Sequence, residues 1–198
     1  MDEFESALSS LVASGGPTEE QYEEVVRFIE SAAQAVGRGQ LLREDIRKAL
    51  NSYGDVFSVA TLQGRALQKP HGYAGDFEMM DCIYLQHVSP DTRLANWDKY
   101  FQANHAPKAV RNRKSYFHAA LDSLPKDRCT VLKLGIGPGR SMHEWLTRNP
   151  SADIHIECVD VDPNAIKYAQ TLNASDSHRI KYHASNVFKF APPPGISL

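Results

Sequence analysis

The chain has 198 residues, of which 42% are hydrophobic and 23% are charged, and its formal net charge is −2. This composition predicts a soluble globular protein with one substantial core or a core and a small appendage, and the charge does not indicate a nucleic-acid partner. No run of about 18 apolar residues occurs, and the N-terminus carries Asp2, Glu3 and Glu5 where a signal peptide is basic, so the sequence predicts a cytoplasmic protein without a membrane span.

The first 105 residues predict a helical region. Thr18 to Gln21 has the pattern of a capping box, and apolar residues then recur at helical spacing until Gly37. A second helix is predicted from Leu42 to Tyr53, and a shorter one over residues 2–13. This region is expected to pack on itself or to cap another part of the protein.

Residues 69–76, Lys-Pro-His-Gly-Tyr-Ala-Gly-Asp, predict a glycine-rich loop that either contacts a ligand or simply turns the chain. Asp76 is placed to cap a helix that carries Phe77 and Tyr84. Two further helices are expected, one around Trp97 and one from Pro107 to about Leu124.

From residue 130 the apolar pattern changes to that of alternating strands and helices. Strands are predicted over 130–134, 154–160 and 180–184, with helices through Trp145 and after Pro163 between them. The first strands and helices of a parallel, doubly wound sheet follow one another in this order, so the predicted fold class is α/β. Two domains follow: a helical N-terminal region, 1–105, and an incomplete Rossmann-like domain, 106–198.

A glycine-rich turn joins the first strand to the next helix. It contains Gly135, Gly137 and Gly139, and Asp160 ends the second strand 21 residues after Gly139, since 160 − 139 = 21. Such a turn lets backbone approach a ligand, and such an acid can accept hydrogen bonds from both ribose hydroxyls. The spacing is GxGxG. A dinucleotide site has a third glycine where this chain has Arg140, so a nicotinamide oxidoreductase is the least favoured reading.

The glycine spacing together with Asp160 resembles the class I S-adenosylmethionine-dependent methyltransferases. The resemblance implies that Gly135, Gly137 and Gly139 lie under the amino-acid part of the cofactor, that Asp160 binds its ribose, and that Asn186 meets the adenine amine. It also implies that the chain supplies the first half of the methyltransferase sheet. Many members of the family carry an acid where this chain has Lys133 and an aspartate where it has Asn186.

A narrower resemblance rests on the block Lys-Pro-His-Gly-Tyr-Ala-Gly-Asp-Phe-Glu-Met-Met at 69–80, with Ile83-Tyr84 and Ala109-Val110-Arg111-Asn112-Arg113 after it. This pattern looks like the bacterial family named for biosynthesis of the extracellular factor 3-hydroxypalmitic acid methyl ester. The resemblance implies methylation of the carboxyl group of a 3-hydroxy fatty acid, which yields a quorum-sensing signal. The implied partner is therefore a small-molecule fatty acid.

A carboxylate is ionised near neutrality, so its methylation needs positioning and exclusion of water but no general base. Tyr73 is a candidate for closing over the methyl group, and Arg111 or Arg113 for orienting a carboxylate of substrate or cofactor. A non-catalytic binding module of the same fold remains an alternative. No metal is expected, because the three cysteines and eight histidines have no ligand spacing.

In a complete sheet of this family, a fourth strand lies beside the first. The sequence supplies three strands before the proline-rich stretch 191–198. We therefore expect a fragment or one piece of a larger assembly. The free side of the first strand should be paired with another copy, covered by the helical N-terminus, or left without a neighbour.

Overall fold

The computed structural model describes residues 2–125 and 129–192. They divide into two compact units. The first unit holds residues up to 75 and 85–108, and the second holds 76–84 and the residues from 109 onward. The assignment of segment 76–84 to the second unit is a discontinuity that no sequence pattern indicates. The two domains predicted with a boundary after residue 105 stay a prediction.

The helices are, in chain order, α1 (Asp2–Ala13), α2 (Tyr22–Gly37), α3 (Arg43–Ser52), α4 (Leu62–Gln68), α5 (Phe77–Tyr84), α6 (Thr92–Ala103), α7 (His105–Asp122), α8 (Arg140–Arg148) and α9 (Pro163–Leu172). Short 3₁₀ turns occupy Glu19–Gln21, Gly54–Phe57 and Ala174–Arg179. The strands are β1 (Cys129–Leu134), β2 (Ile154–Asp160) and β3 (Ile180–Ala184). In the described residues no helix is long and apolar enough to cross a membrane.

The first unit is helical, as predicted for this part of the chain. The amide of Thr18 donates to Oε1 of Gln21 at 3.0 Å, half of the predicted capping box. A core forms around Leu8, Val56, Phe57, Leu94 and Trp97. Buried Asp98 joins α4 to the segment before α6, because its two carboxylate oxygens accept from the amides of Leu62 and Ser89, both at 2.8 Å. Burial raises the pKa of Asp98 above its usual range.

The second unit contains a small parallel sheet in the order β1-β2-β3. Val131 lies opposite Ile156, and Cys158 lies opposite Tyr182. Its core combines apolar residues of β2 with residues of α7, α8 and α9, among them Leu121, Met142, Trp145, Ile154 and Ala169. The fold is therefore mixed α/β, mostly helical, with three parallel strands.

Strand β1 is an edge strand of this sheet. Of the strands that the structure describes, only β2 pairs with it, and Leu134 at its end is 50% exposed. Most of the predicted proline-rich turn, 193–198, lies outside the described residues.

Candidate functional site

The glycine-rich turn lies between the end of β1 and the start of α8, at the carboxyl end of the parallel strands. Gly135, Gly137 and Gly139 have φ values of 64°, 52° and 73°, in the left-handed region that side chains disfavour. A Cβ at Gly139 would lie 2.9 Å from the Cβ of Ala169 on α9, whereas one at Gly135 or Gly137 would meet no atom within 4 Å. Gly139 therefore allows the turn to pack closely against α9, whereas Gly135 and Gly137 leave the backbone open to a ligand.

Asp160 lies directly beside this turn. Its Oδ2 accepts from the amide of Gly137 at 3.0 Å, and its Oδ1 accepts from the amide of Asp162 at 3.0 Å. A carboxylate oxygen has two lone-pair sites, so each oxygen can accept one more hydrogen bond. The structure thus brings together two elements that the sequence predicted as one site, and holds the carboxylate in a fixed orientation.

Asn186 follows β3, next to the end of β2. The amide of Ser185 donates to the Asp160 carbonyl at 2.9 Å, which fixes the start of this loop. The side chain of Asn186 is exposed, and its Oδ1 accepts from the amide of Phe188 at 2.9 Å. One lone pair of that oxygen remains for a ligand.

Two exposed apolar side chains were missed in the sequence analysis, Val161 directly after Asp160 and Phe188 in the loop after β3. Val161 is 71% exposed and Phe188 is 94% exposed. Val161 could have been found from the sequence, because it is an apolar residue directly after the acid that ends a strand. Both side chains offer a surface against which a flat ring could lie.

A cavity of about 290 Å³ lies within the second unit, beside the first glycine of the turn. Arg113, Phe117, Lys133, Gly135 and Ser141 are among its lining residues. The Lys133 ammonium lies 3.7 Å from the centroid of the Phe117 ring. Burial and, to a smaller extent, the positive charge of Arg113 together lower the pKa of Lys133 to about 8.

Lys114, the lysine next to Arg113, has an acidic partner, whereas none is described for Lys133. Lys114 also lines the cavity, and its ammonium lies 2.8 Å from the Glu144 carboxylate. No ion pair joins Lys133 to a carboxylate in the part of the chain that the structure describes. The cavity therefore presents a positive potential to an incoming ligand.

The other predicted positioning residues, Arg111 and Tyr73, are not among the residues that line this cavity. Arg111 is half-buried on α7 and does not line this cavity. Tyr73 belongs to the first unit, in the turn before α5, and its side chain is 40% exposed. The roles of both residues stay predictions.

Arg140, at the first position of α8, forms a buried contact that sequence reasoning missed. Its Nε and Nη2 atoms donate to the two carboxylate oxygens of Asp81, each at 2.7 Å. The Tyr168 hydroxyl donates to the same carboxylate at 2.7 Å. Burial and, to a smaller extent, the hydrogen bond to Asp81 together raise the pKa of Tyr168 to about 12. Asp76 begins the same segment, and its Oδ1 accepts from the amide of Met79 at 2.9 Å, so the predicted helix cap is confirmed.

Comparisons with known proteins give little further guidance. No family model matches the sequence, and no curated protein matches it. A solved structure, described as that of a possible exported protein from Bordetella parapertussis, is 23% identical and superposes with a TM-score of 0.48. The match covers 58% of this chain, and the chain spans 38% of that protein.

The name of this neighbour bears on one prediction. The sequence analysis predicts a cytoplasmic protein, and the name of the matched structure, a possible exported protein, contradicts it. The acidic residues near the N-terminus were a weak physical basis for assigning a compartment. The cytoplasmic assignment is therefore withdrawn, and no other compartment is assigned.

Proposed function

We propose that this chain is part of a class I S-adenosylmethionine-dependent methyltransferase. The observation that supports this most is the bond from the Gly137 amide to Asp160. It links a glycine turn of GxGxG spacing to an acid at the end of the neighbouring parallel strand. Ligands of open α/β sheets bind at this edge of the sheet.

The residues around the turn suit most of the cofactor. Asp160 would accept from the ribose hydroxyls, Asn186 would accept from the adenine amine, and Val161 and Phe188 would flank the adenine ring. Gly135 and Gly137 would let the amino-acid part of the cofactor approach the backbone. When bound, the cofactor supplies an electrophilic methyl group on a sulfonium.

Lys133 would determine which charged group is favoured at the methionine end of the cofactor. An acid at this position would attract the cofactor's ammonium, whereas Lys133 and Arg113 favour a carboxylate. That carboxylate belongs either to the cofactor or to the substrate. In both cases the cationic cavity supports an anionic ligand beside the first glycine.

We propose as substrate the carboxylate of a 3-hydroxy fatty acid, which yields a methyl ester that serves as a quorum-sensing signal. The substrate carboxylate is already ionised at neutral pH, so no residue has to remove a proton. The chain's own contribution is then to hold the carboxylate in line with the sulfonium methyl group and to exclude water. Arg113 would orient it, and Tyr73 would close over the reacting atoms.

Arg140 argues against a dinucleotide cofactor. It stands where a dinucleotide fingerprint has its third glycine, which allows close helix packing at that point. Here the side chain is instead held by Asp81. Nothing in the described residues specifically favours the non-catalytic alternative.

The test is methyl transfer from cofactor labelled in its methyl group. The whole protein of which this chain is a part is incubated with 3-hydroxypalmitate, and the labelled methyl ester is measured by mass spectrometry. Asp160→Ala should strongly reduce product at a limiting cofactor concentration, while Asp153→Ala, which removes an exposed acid just before β2, should not. Labelled product that is equally abundant with Asp160→Ala would contradict the proposed site.

A further inference from the structure

The apolar face of α2 continues from the core of the first unit onto its surface. Val25 is buried, whereas Val26 and Ile29 are 40% and 51% exposed. These two neighbour each other, because residues three apart lie side by side on a helix. Leu42, which directly precedes α3, is 54% exposed. Contiguous exposed apolar residues mark interaction sites, whereas isolated ones do not.

The exposed residues border the mouth of a pocket between α2 and α3. The pocket has a volume of about 360 Å³ and reaches α1 and α6. Ile29 and Ala33 line its α2 side, and Ile46 and Leu50 line its α3 side. The pocket opens at Ile29, because this residue lines it and is half exposed. Close-packed interiors hold few voids larger than a water molecule, so a space of this size at the surface has room for the side chains of a partner.

Charged residues of opposite sign flank the two sides of this mouth. Glu30 lies three residues before Ala33 on α2, and Arg47 lies three residues before Leu50 on α3, so each neighbours a residue of the pocket. Both charged side chains are exposed. Because Ala33 and Leu50 line one pocket, Glu30 and Arg47 lie at a similar level along its mouth. The surface thus has an acidic side, an apolar middle and a basic side.

These charges are available to a partner. The nearest cation along α2, Arg27, pairs with Glu23 at 3.9 Å and not with Glu30. On α3, Arg43 lies one turn before Arg47 and is a second exposed cation. Among the residues that the structure describes, no ion pair involves Glu30, Arg43 or Arg47. The two sides of the mouth therefore keep their opposite charges.

We infer that this surface of α2 and α3 pairs with the same surface of a second copy of the chain. A two-fold contact requires a self-complementary patch. With the two-fold axis along the mouth, α2 of each copy lies against α3 of the other, so Glu30 meets Arg47 of the partner subunit twice. The same rotation brings each Ile29 over the other copy's pocket. A partner with a single sign of charge would be repelled at one of the two sides.

The test of the apolar contact is sedimentation equilibrium of the whole protein. This inference goes beyond the proposed function and does not rest on it, because association needs neither cofactor nor substrate. We expect a dimer whose dissociation constant rises roughly tenfold or more in Ile29→Asp, which places a carboxylate in the apolar contact. Ser31→Asp, at an exposed residue of the same helix that does not line this pocket, should dimerise like the wild type. A monomeric wild type would overturn the inference.

Charge reversal tests the pairing without disturbing the core. Glu30→Arg and Arg47→Glu should each weaken the dimer roughly tenfold or more, because each places like charges opposite each other twice. An equimolar mixture of the two variants should dimerise again, since every contact then joins opposite charges. Lys48→Glu, which reverses the charge of an exposed lysine that pairs with Asp45 at 4.0 Å, is the control and should dimerise like the wild type. Wild-type dimers of either single variant, or a mixture that stays monomeric, would overturn the inference.

Discussion

Arg140 binds both carboxylate oxygens of Asp81, with two N–O distances of 2.7 Å. Asp81 is 3% exposed and accepts a third hydrogen bond from Tyr168. Asp81 lies on α5, directly after the Gly-Tyr-Ala-Gly-Asp block, and Arg140 begins the helix after the glycine turn. The pair therefore attaches α5 to the helix that follows the glycine turn.

Arg140→Met should strongly destabilise the second unit. The substitution leaves the buried Asp81 carboxylate with the Tyr168 hydroxyl but without its cation, and breaking a buried pair costs about 3–5 kcal/mol. Arg93→Met is the matched control, because Arg93 also contacts an aspartate, Asp91, but is 73% exposed. Urea unfolding would measure both. Equal stability of the two variants would show that burial of the Asp81 pair is unimportant.

Gly139→Ala should cost more stability than Gly135→Ala. Both glycines have positive φ, which costs an alanine about 1–2 kcal/mol, but only a Cβ at Gly139 would meet α9. The overlap adds roughly 1–3 kcal/mol. Thermal and urea unfolding of the two variants give the comparison. A larger loss in Gly135→Ala would mean that the turn packs differently.

Lys133→Met should be more stable than the wild type at pH 7. An unfolded lysine keeps its proton to about pH 10.5, whereas the pKa of Lys133 in the folded protein is lowered to about 8. Below pH 8 the folded state holds a desolvated charge. Between pH 8 and 10.5 the unfolded state binds more protons, so the wild-type free energy of unfolding rises with pH.

The advantage of Lys133→Met should therefore be on the order of 1–3 kcal/mol at pH 7 and should shrink between pH 8 and 10.5. Urea unfolding across this pH range measures it. Lys167→Met, which replaces an exposed lysine of α9, controls for loss of charge. A difference between Lys133→Met and wild type that does not change with pH would rule out a buried, charged Lys133.

Tyr73→Phe should lower turnover more than cofactor affinity, provided that this loop closes over the reacting atoms. Loss of a hydroxyl contact made mainly in the transition state lowers kcat and leaves binding unchanged. Methyl-ester formation and calorimetry measure the two quantities. Tyr53→Phe, whose hydroxyl donates to the Glu5 carbonyl at 3.3 Å, is the control. Unchanged turnover in Tyr73→Phe would mean that the loop has a structural role and does not take part in the reaction.

Local patterns predicted much of this fold. The strand before Gly135, the helix after Pro163 and the capping role of Asp76 follow from residues close in sequence, and the structure has all three. Helix α4 was missed because Gly64 interrupts a segment of only seven residues. There, a Cβ would overlap the carbonyl oxygen of Ser58, so packing requires glycine where propensity disfavours a helix.

Contacts between distant residues could not be predicted in this way. Arg140 and Asp81 are 59 positions apart, and no periodicity pairs them. Lys133 looked like a departure from a family pattern, and only the structure shows its ammonium over Phe117.

The most direct test of the proposed cofactor is calorimetric titration with S-adenosylhomocysteine. We expect it to bind more tightly than NAD, and Asp160→Ala to weaken it by about 1.5–3 kcal/mol through loss of charge-assisted bonds to the ribose. Asp153→Ala should bind like the wild type. Tighter binding of NAD, or an unchanged dissociation constant in folded Asp160→Ala, would contradict the account.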